Sequence, residues 1–374
     1  MAETKKGLEG AVAAQTRISE IDGRNGRLSY AGYDIRDLAE HSTFEEVVHL
    51  LHHAELPSAR DLAQIRATLA AERRLSPFLV DLITSIAPEM SAMSVLRTAV
   101  SAAQAHDPDG KDDSDGANLR KSYRLVAQTP QIVAGYGRLR GGTGALAPGE
   151  DLGLAAGFLF ALHGQAPDPA LAHDLDVVFI LYADHTLNAS TFAGRVAAAT
   201  LADMHASVTA AVAALQGPLH GGAIEATRRM LEEIGTPDRA EGYVKDRLAR
   251  RQKIMGFGHR VYRTWDPRAE VLKVIAERLT KQAGMPHLYE ISQRIQEVVL
   301  AEKGLYPNVD FYTGGIYSAM GIPTDLFTAM FAIARMAGWT AHIREQYADN
   351  RLIRPSSEYI GPGSRAWVPP DRRG

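Results

Sequence analysis

Along most of the chain, apolar residues recur three and four positions apart, the period that gathers them on one face of an α-helix. The spacing predicts helices over Phe44 to Leu51, Ala59 to Leu75, Met93 to Gln104, Leu175 to Tyr182, Ala189 to Leu215, Ala223 to Ile234, Arg268 to Ala283, Ser292 to Lys303 and Thr324 to Trp339. Many of these are rich in Ala, which favours helix and close helix–helix approach. A period of two occurs only near the start. Arg17-Ile18-Ser19-Glu20-Ile21 and Arg27-Leu28-Ser29-Tyr30 flank Asp22-Gly23-Arg24-Asn25-Gly26, the pattern of a β-hairpin. Strands and helices do not alternate, which argues against a doubly wound sheet. The expected fold class is all-α with a short N-terminal β-hairpin.

The breaks in this pattern are polar and glycine-bearing. His106 to Asn118 is an acidic segment that reads as a loop, and Arg138 to Leu152, with Gly141, Gly142, Gly144, Pro148 and Gly149, reads as another. The tail from Gly361 is rich in Pro, Gly and Arg and is expected to wrap over a surface. No internal repeat or low-complexity tract interrupts the chain.

Composition narrows the function classes. At roughly 150 residues per domain, a length of 374 allows two to three domains, or one large domain carrying a smaller insert. A net charge of −3 argues against a protein that lives on nucleic acid or an anionic membrane. The absence of Cys excludes disulfides, iron–sulfur clusters, zinc-thiolate sites and thiol nucleophiles. Met1-Ala-Glu-Thr-Lys-Lys leads into no apolar run, so no signal peptide is expected. The strongest apolar stretch, Leu152 to Gly164, is too short to cross a bilayer. The expectation is a cytoplasmic protein acting on small molecules.

Two weak motifs carry little. His49, His52 and His53 share helical spacing, but no acidic residue stands between them as in HExxH, so no metal site is expected. Gly256-Phe257-Gly258 lacks the third glycine and the preceding βαβ unit of a dinucleotide site.

Four places hold polar groups in unusual company. In Gln216-Gly217-Pro218-Leu219-His220-Gly221-Gly222-Ala223, His220 sits on the joint between two helices. Free amides at the second helix would keep its ring neutral and able to donate; the alternative is a helix–helix turn with a capping His. In Lys253 to Arg268, His259 and three arginines lie among Phe257, Val261, Tyr262 and Trp265. Such a loop can wrap an anion, or it can be a solvated basic loop. Asp310 stands between Val309 and Phe311 in a short segment closed by Gly314 and Gly315. Partial burial there would raise its pKa toward the range of a general base, whereas an Asp that caps a turn would need no such shift. Arg335 is the only charge in the apolar run Leu326 to Ala337, and a buried cation needs an anion, internal or substrate. Arg354, in an extended segment, is a further candidate beside its reading as a surface residue. Two His, one Asp and three Arg without a metal-ligand set suit enolisation chemistry on a small dicarboxylate.

With these residues in view, the chain resembles the citrate synthase family from about Gly7 to Pro370. Gly217-Pro-Leu-His220-Gly-Gly, Gly256-Phe-Gly-His259-Arg-Val-Tyr with Asp266-Pro-Arg268, and Asn308-Val-Asp310-Phe-Tyr carry the resemblance in this order. Gly26-Arg-Leu-Ser-Tyr-Ala-Gly-Tyr-Asp-Ile, Leu96-Arg-Thr-Ala-Val-Ser, Ala183-Asp-His185 with Asn188-Ala-Ser-Thr, and Arg354-Pro-Ser support it. The resemblance implies a large helical domain, residues 1–222 and 315–374, with a smaller helical domain, residues 223–314, inserted into it. It also implies a homodimer of the compact type, since no extra N-terminal β-rich segment is seen.

By resemblance, Asp310 removes a proton from the acetyl-CoA methyl, neutral His220 hydrogen-bonds the thioester oxygen, and His259 polarises the oxaloacetate ketone. His185, Arg268 and Arg335 hold oxaloacetate, with Arg354 reaching in from the partner subunit. CoA is expected along Lys253, Ile254, Met255, Gly256 and Phe257, with Arg263 on phosphate. Acetyl-CoA is a co-substrate; no permanent cofactor and no metal are implied, and no nucleic-acid or membrane partner. Two positions depart from the family. Ile224 stands where Asn usually follows His-Gly-Gly-Ala, and Ser91-Ala92 replace the His-Pro often found before Met93. The near rival is 2-methylcitrate synthase, with propionyl-CoA as donor, although Asn308-Val-Asp310-Phe-Tyr looks less like its Asn-Leu-Asp-Trp-Phe pattern. The rival of another class is an inactive metabolite-binding homologue, against which Asp310, His220 and His259 speak.

Overall fold

The structure is a computed structural model that describes residues 6–8, 10–144, 149 and 152–373. The first five residues and Pro148, named above, lie outside the described residues. Its helices are α1 (Ile35–His41), α2 (Phe44–His53), α3 (Ala59–Glu72), α4 (Pro77–Ile86), α5 (Ala92–Ala103), α6 (Asp115–Arg140), α7 (Leu154–His163) and α8 (Pro169–Tyr182). They continue as α9 (Ala189–Ala198), α10 (Met204–Leu215), α11 (Ala223–Ile234), α12 (Pro237–Ala249), α13 (Pro267–Gln282), α14 (Pro286–Lys303), α15 (Asp310–Ala319) and α16 (Phe327–Ala348). Strands β1 (Ser19–Asp22), β2 (Arg27–Tyr30) and β3 (Tyr33–Asp34) form one antiparallel sheet, with Ser19 opposite Tyr30 and Ile21 opposite Leu28. The all-α expectation holds, and the hairpin gains a short third strand.

Local chemistry starts the helices where the pattern expects them. Thr43 caps α2 in a reciprocal capping box with Glu46, and Phe44, Val47, Val48, Leu50 and Leu51 form its buried stripe. Asp168 caps α8 ahead of Pro169, whose fixed φ suits the first helical position. Ser91 caps α5, so the Ser91-Ala92 departure supplies a helix start.

Several boundaries differ from expectation, and three of them have a clear local cause or consequence. The single helix expected over Ala189 to Leu215 is two, α9 and α10, because Asp203 caps a new helix and Leu201 takes a positive φ. The acidic segment ends at Asp115, where Ser114 caps α6. The segment holding Asp310, Gly314 and Gly315 is the helix α15, which runs through both glycines to Ala319. The inserted unit expected to end at Gly314 would therefore end inside a helix.

The core is built around α16, which packs against α2, α5, α6, α8, α9, α10 and α11 and is buried on nearly all sides. Helices α11 to α15 pack mainly on one another. Gly338 lets α16 approach the turn after α8: its N–H donates to the Ala183 carbonyl at 3.1 Å, and a Cβ there would lie 2.4 Å from that oxygen. That contact brings Arg335 and Trp339 against residues 182–190. Gly338→Ala is expected to cost about 1–3 kcal/mol, as overpacking of a close-packed core does. A lower urea midpoint than wild type checks it.

Candidate active site

Asp310 opens α15, and the loop ahead of it is tied to the His259 loop. Phe257 and Pro307 form an isolated antiparallel bridge, with Asn308 N–H donating to Gly256 O at 2.9 Å and Gly258 N–H to Tyr306 O at 3.1 Å. The Asn308 amide donates to Gly258 O at 3.1 Å, while its oxygen accepts from Asp310 N–H at 3.1 Å. Gly256 has φ +80°, and a Cβ on it would meet Phe311 at 2.7 Å, so only glycine lets the two segments close together. Asp310 keeps partial access to solvent, yet burial raises its pKa from 3.8 to about 6, against the lowering effects of Tyr182 and Arg268.

His220 lies in the turn between α10 and α11. Its Nε2 is 2.8 Å from Ser190 Oγ, which also receives the Trp339 indole N–H at 3.1 Å. Burial first, and the Arg335 charge second, lower its pKa to about 4, so the ring is neutral at pH 7. The neutral state was expected; burial and Arg335 are its causes here. Ser190 Oγ also lies 2.7 Å from Asn188 Oδ1, so its one proton goes either to that oxygen or to His220 Nε2; in the second arrangement Nδ1 is the ring's donor. The His220 turn is held by Thr328, whose hydroxyl lies 3.3 Å from Gly221 O and 2.7 Å from Glu225. Ile224 is fully buried, so this departure adds an apolar side chain to the core.

His259 has its tautomer fixed by its own loop. Nδ1 accepts from Val261 N–H at 3.0 Å and Tyr262 N–H at 3.2 Å, so the proton of the neutral ring is on Nε2. Burial and then Arg268 lower its pKa to about 4. Its ring centroid is 5.1 Å from that of His185, edge to face. His185 is buried, 3.3 Å from the Tyr262 hydroxyl, and is held well below its ordinary pKa by burial first and then by the guanidinium charges of Arg268 and Arg335; the His259 and His220 rings also face it. These groups therefore surround one imidazole.

The turn that carries His185 is anchored by the hairpin. Asp184 is fully buried between Ser19, Thr186 N–H and His342, and the Tyr30 hydroxyl accepts from Asp184 N–H at 3.1 Å. Burial pushes the Asp184 carboxyl up, but His342 and Arg335 outweigh it and hold the group below its ordinary value.

The arginines fall into three situations. Arg268 is buried and forks onto Asp266, Nε to Oδ1 at 3.0 Å and NH2 to Oδ2 at 2.8 Å. Arg335 is fully buried over the Phe331 ring at 4.7 Å, and its Nε donates to Tyr182 O at 2.7 Å. Its NH1 has no hydrogen-bond partner among the described residues, and burial lowers its pKa to about 10. Arg354 lies on the exposed tail, with no bond to this cluster among the described residues. Along the expected CoA segment, Ile254 and Gly256 are buried, Met255 and Phe257 half-buried, and Lys253 and Arg263 exposed; Arg263 N–H ties to the hairpin at Gly23 O, 2.8 Å away.

Sequence reasoning missed Tyr182, whose hydroxyl is 3.1 Å from Asp310 Oδ1, and gave Ser190 and Trp339 no role. A phenol or indole in an apolar helix carries no signal that separates it from core. The three α2 histidines have protein partners: His49 stacks on His53 at 4.3 Å, His53 meets the Tyr123 hydroxyl at 3.0 Å, and His52 meets Thr340 and Arg344.

The sequence profile described as citrate synthase, C-terminal domain, matches residues 7–356. Citrate synthase 2 of Bacillus subtilis is 45% identical over 98% of this chain and 99% of its own. The citrate synthase of Haloferax volcanii is also 45% identical, over 99% of each chain. A 2-methylcitrate synthase of Mycobacterium tuberculosis is 41% identical over 96% of this chain and 91% of its own. Among solved structures, the ternary complex of the Thermoplasma acidophilum citrate synthase with carboxymethyl coenzyme A and oxaloacetate superposes with a TM-score of 0.94. It is 35% identical and covers 99% of this chain and 100% of that one.

The raised Asp310 pKa predicts a stability effect of definite sign. Above pH 6 the folded chain carries a poorly solvated charge; well below pH 3.8 the carboxyl is neutral folded or unfolded, and the penalty vanishes. Asp310→Asn should therefore stabilise the fold by about 2–3 kcal/mol at pH 7.5, a gain that shrinks toward pH 4. Paired unfolding curves at the two pH values check it.

Proposed function

The chain belongs to the citrate synthase family, and from that premise we propose how its own residues carry the reaction. The enzyme condenses acetyl-CoA with oxaloacetate and hydrolyses citryl-CoA to citrate and CoA, an acyl transfer that turns the acyl group into an alkyl group. Acetyl-CoA is a co-substrate, and the reaction needs no permanent cofactor.

Asp310, ionised above about pH 6, takes a proton from the acetyl methyl. His220 donates from Nδ1 to the thioester oxygen as the enol forms. The enol carbon attacks the oxaloacetate ketone, which His259 polarises through Nε2–H and to which it gives that proton as the alkoxide forms. Acid–base placement of this kind contributes about 10²–10⁴ in rate, and each oxyanion donor about 10²–10³. His185, Arg268 and Arg335 hold the dicarboxylate; the buried NH1 of Arg335, unpartnered among the described residues, suits a substrate carboxylate. The CoA moiety lies along Lys253, Ile254, Met255, Gly256 and Phe257, with Arg263 on phosphate.

The observation that carries this reading is a carboxylate hydrogen-bonded by Tyr182 and raised in pKa by burial, facing the same Arg335 and Arg268 that lie against the His220 and His259 rings. An inactive metabolite-binding homologue has no use for that combination. We further propose that residues 223–314 close over oxaloacetate as a smaller domain and exclude water before the enol forms. The chain acts as a homodimer in the cytoplasm, within the tricarboxylic acid cycle. The tail supports the dimer: it exposes Tyr359 at 77%, Ile360 at 91% and Trp367 at 75%, apolar area for a second copy to cover. No helix among the described residues is long and apolar enough to cross a membrane.

Two measurements test this. With oxaloacetate saturating and free CoA detected, kcat/KM for acetyl-CoA should exceed that for propionyl-CoA. Equal or inverted values would favour the 2-methylcitrate reaction, since one methylene in an apolar pocket discriminates only modestly. For the dimer, Asp310→Asn and Arg354→Ala chains should each be nearly inactive alone. Mixed by refolding, they should regain about a quarter of wild-type activity, because half the dimers are hybrid and each hybrid has one intact site. No recovery would place Arg354 in its own chain's site, and an Arg354→Ala chain active on its own would place it outside any site.

A further inference from the structure

Among the described residues, the side-chain hydrogen bond to the Asp310 carboxylate comes from one group, the phenol of Tyr182 at the end of α8. In the sequence this residue reads as one more apolar position. In the fold, its hydroxyl lies 3.1 Å from Asp310 Oδ1, 3.1 Å from Val309 O and 3.0 Å from Thr313 Oγ1. The Thr313 hydroxyl donates to Val309 O at 2.8 Å, so that carbonyl is already served. A phenol has one proton to give, and an ionised carboxylate is the strongest acceptor of the three. The main chain of the same residue holds the other half of the reaction, since Tyr182 O accepts from Arg335 Nε at 2.7 Å.

We propose that Tyr182 is a positioning residue for the enolisation step: its phenol donates to Asp310 Oδ1, fixes the carboxylate against the Arg335-bound dicarboxylate, and leaves Oδ2 free to take the methyl proton. This rests on the functional reading above. The methyl proton then passes to Oδ2 while the electron pair moves to the thioester oxygen, and the phenol keeps its own proton throughout.

The phenol also sets when the base is charged. The groups facing Asp310 are Tyr182 from α8, Arg268 and Asp266 from the start of α13, Arg335 from α16 and Tyr317 two turns along α15. Burial and Asp266 favour the neutral carboxyl; Tyr182, Arg268 and Arg335 favour the anion. Tyr317 is fully buried, and its raised pKa keeps it uncharged. Of the groups favouring the anion, Tyr182 alone can be altered without removing an arginine proposed to hold substrate.

The test is kcat against pH, from pH 5 to 9, for wild type and Tyr182→Phe at saturating acetyl-CoA and oxaloacetate. Losing the donor should move the acid limb up by about one pH unit and lower the plateau about tenfold. KM for oxaloacetate should stay within about twofold, because the main-chain carbonyl that holds Arg335 remains. Replacement of Tyr182 by 3-fluorotyrosine, a stronger donor of nearly the same shape, should move the limb down. It decides the matter alone if Tyr182→Phe does not fold. Folded variants whose acid limbs coincide with wild type would overturn the proposal, as would a fall in kcat with no shift. A wild-type protein releasing no CoA would overturn the functional reading instead, so the two failures are distinct.

Discussion

Removing a charge from water without a full set of partners costs free energy, and the cleft depends on leaving that cost partly uncompensated. Burial pushes Asp310 up toward neutrality and pushes His220 and His259 down, away from the imidazolium. The same force lowers the pKa of Arg335, which has a carbonyl and a phenyl face for company. Elsewhere in the cluster more of the cost is met, although Asp184 Oδ1 accepts no hydrogen bond among the described residues. Asp184 has Ser19, Thr186 and His342, and Asp266 has both arms of Arg268. The contrast sets the carboxylates that hold the architecture, Asp184 and Asp266, apart from Asp310, which is left to meet a substrate.

One short stretch links these two kinds of group. Tyr182 touches the base with its side chain and Arg335 with its main chain; Asp184 ties the turn to the hairpin; His185 enters the cluster; and Ser190 holds His220. Close approach of α16 to this stretch is possible only because residue 338 has no side chain. The N-terminal sheet, small as it is, thus fixes the placement of an imidazole far along the chain through Ser19 and Tyr30. Local sequence chemistry (a cap, a glycine, a hairpin) is converted here into the spacing of functional groups.

Legibility in the sequence followed the physics of contrast. The hairpin was readable because alternation and an Asn-Gly turn coincide, and α11 because its apolar stripe is clean. Helix α6 was not, because it buries Asn118, Lys121, Ser122, Arg124, Thr129 and Gln131, which erases the helical period, and it carries Pro130 in its interior. Helix α12 was missed for the opposite reason: only Ala240 and Val244 are buried, too thin a stripe to read. Gly314 and Gly315 suggested a break, but in α15 they lie against Arg228 and Thr280, where tertiary packing overrides propensity. In the site, His220, His259, Asp310 and Arg335 stood out as polar groups in apolar or glycine-rich surroundings. Tyr182 and Trp339 did not, since an aromatic residue in an apolar helix looks like core whether or not its polar tip is used.

The central claim is that burial, more than any single partner, keeps both imidazoles neutral beside a carboxylate that ionises near pH 6. The most direct measurement is a nitrogen-15 NMR titration of the imidazoles in the ligand-free enzyme, with His220→Gln and His259→Gln for assignment. The account predicts that both rings remain neutral from pH 8 down to about 5, with the His259 proton on Nε2. Imidazolium signals appearing for either ring with a midpoint near the ordinary 6.5 would contradict it.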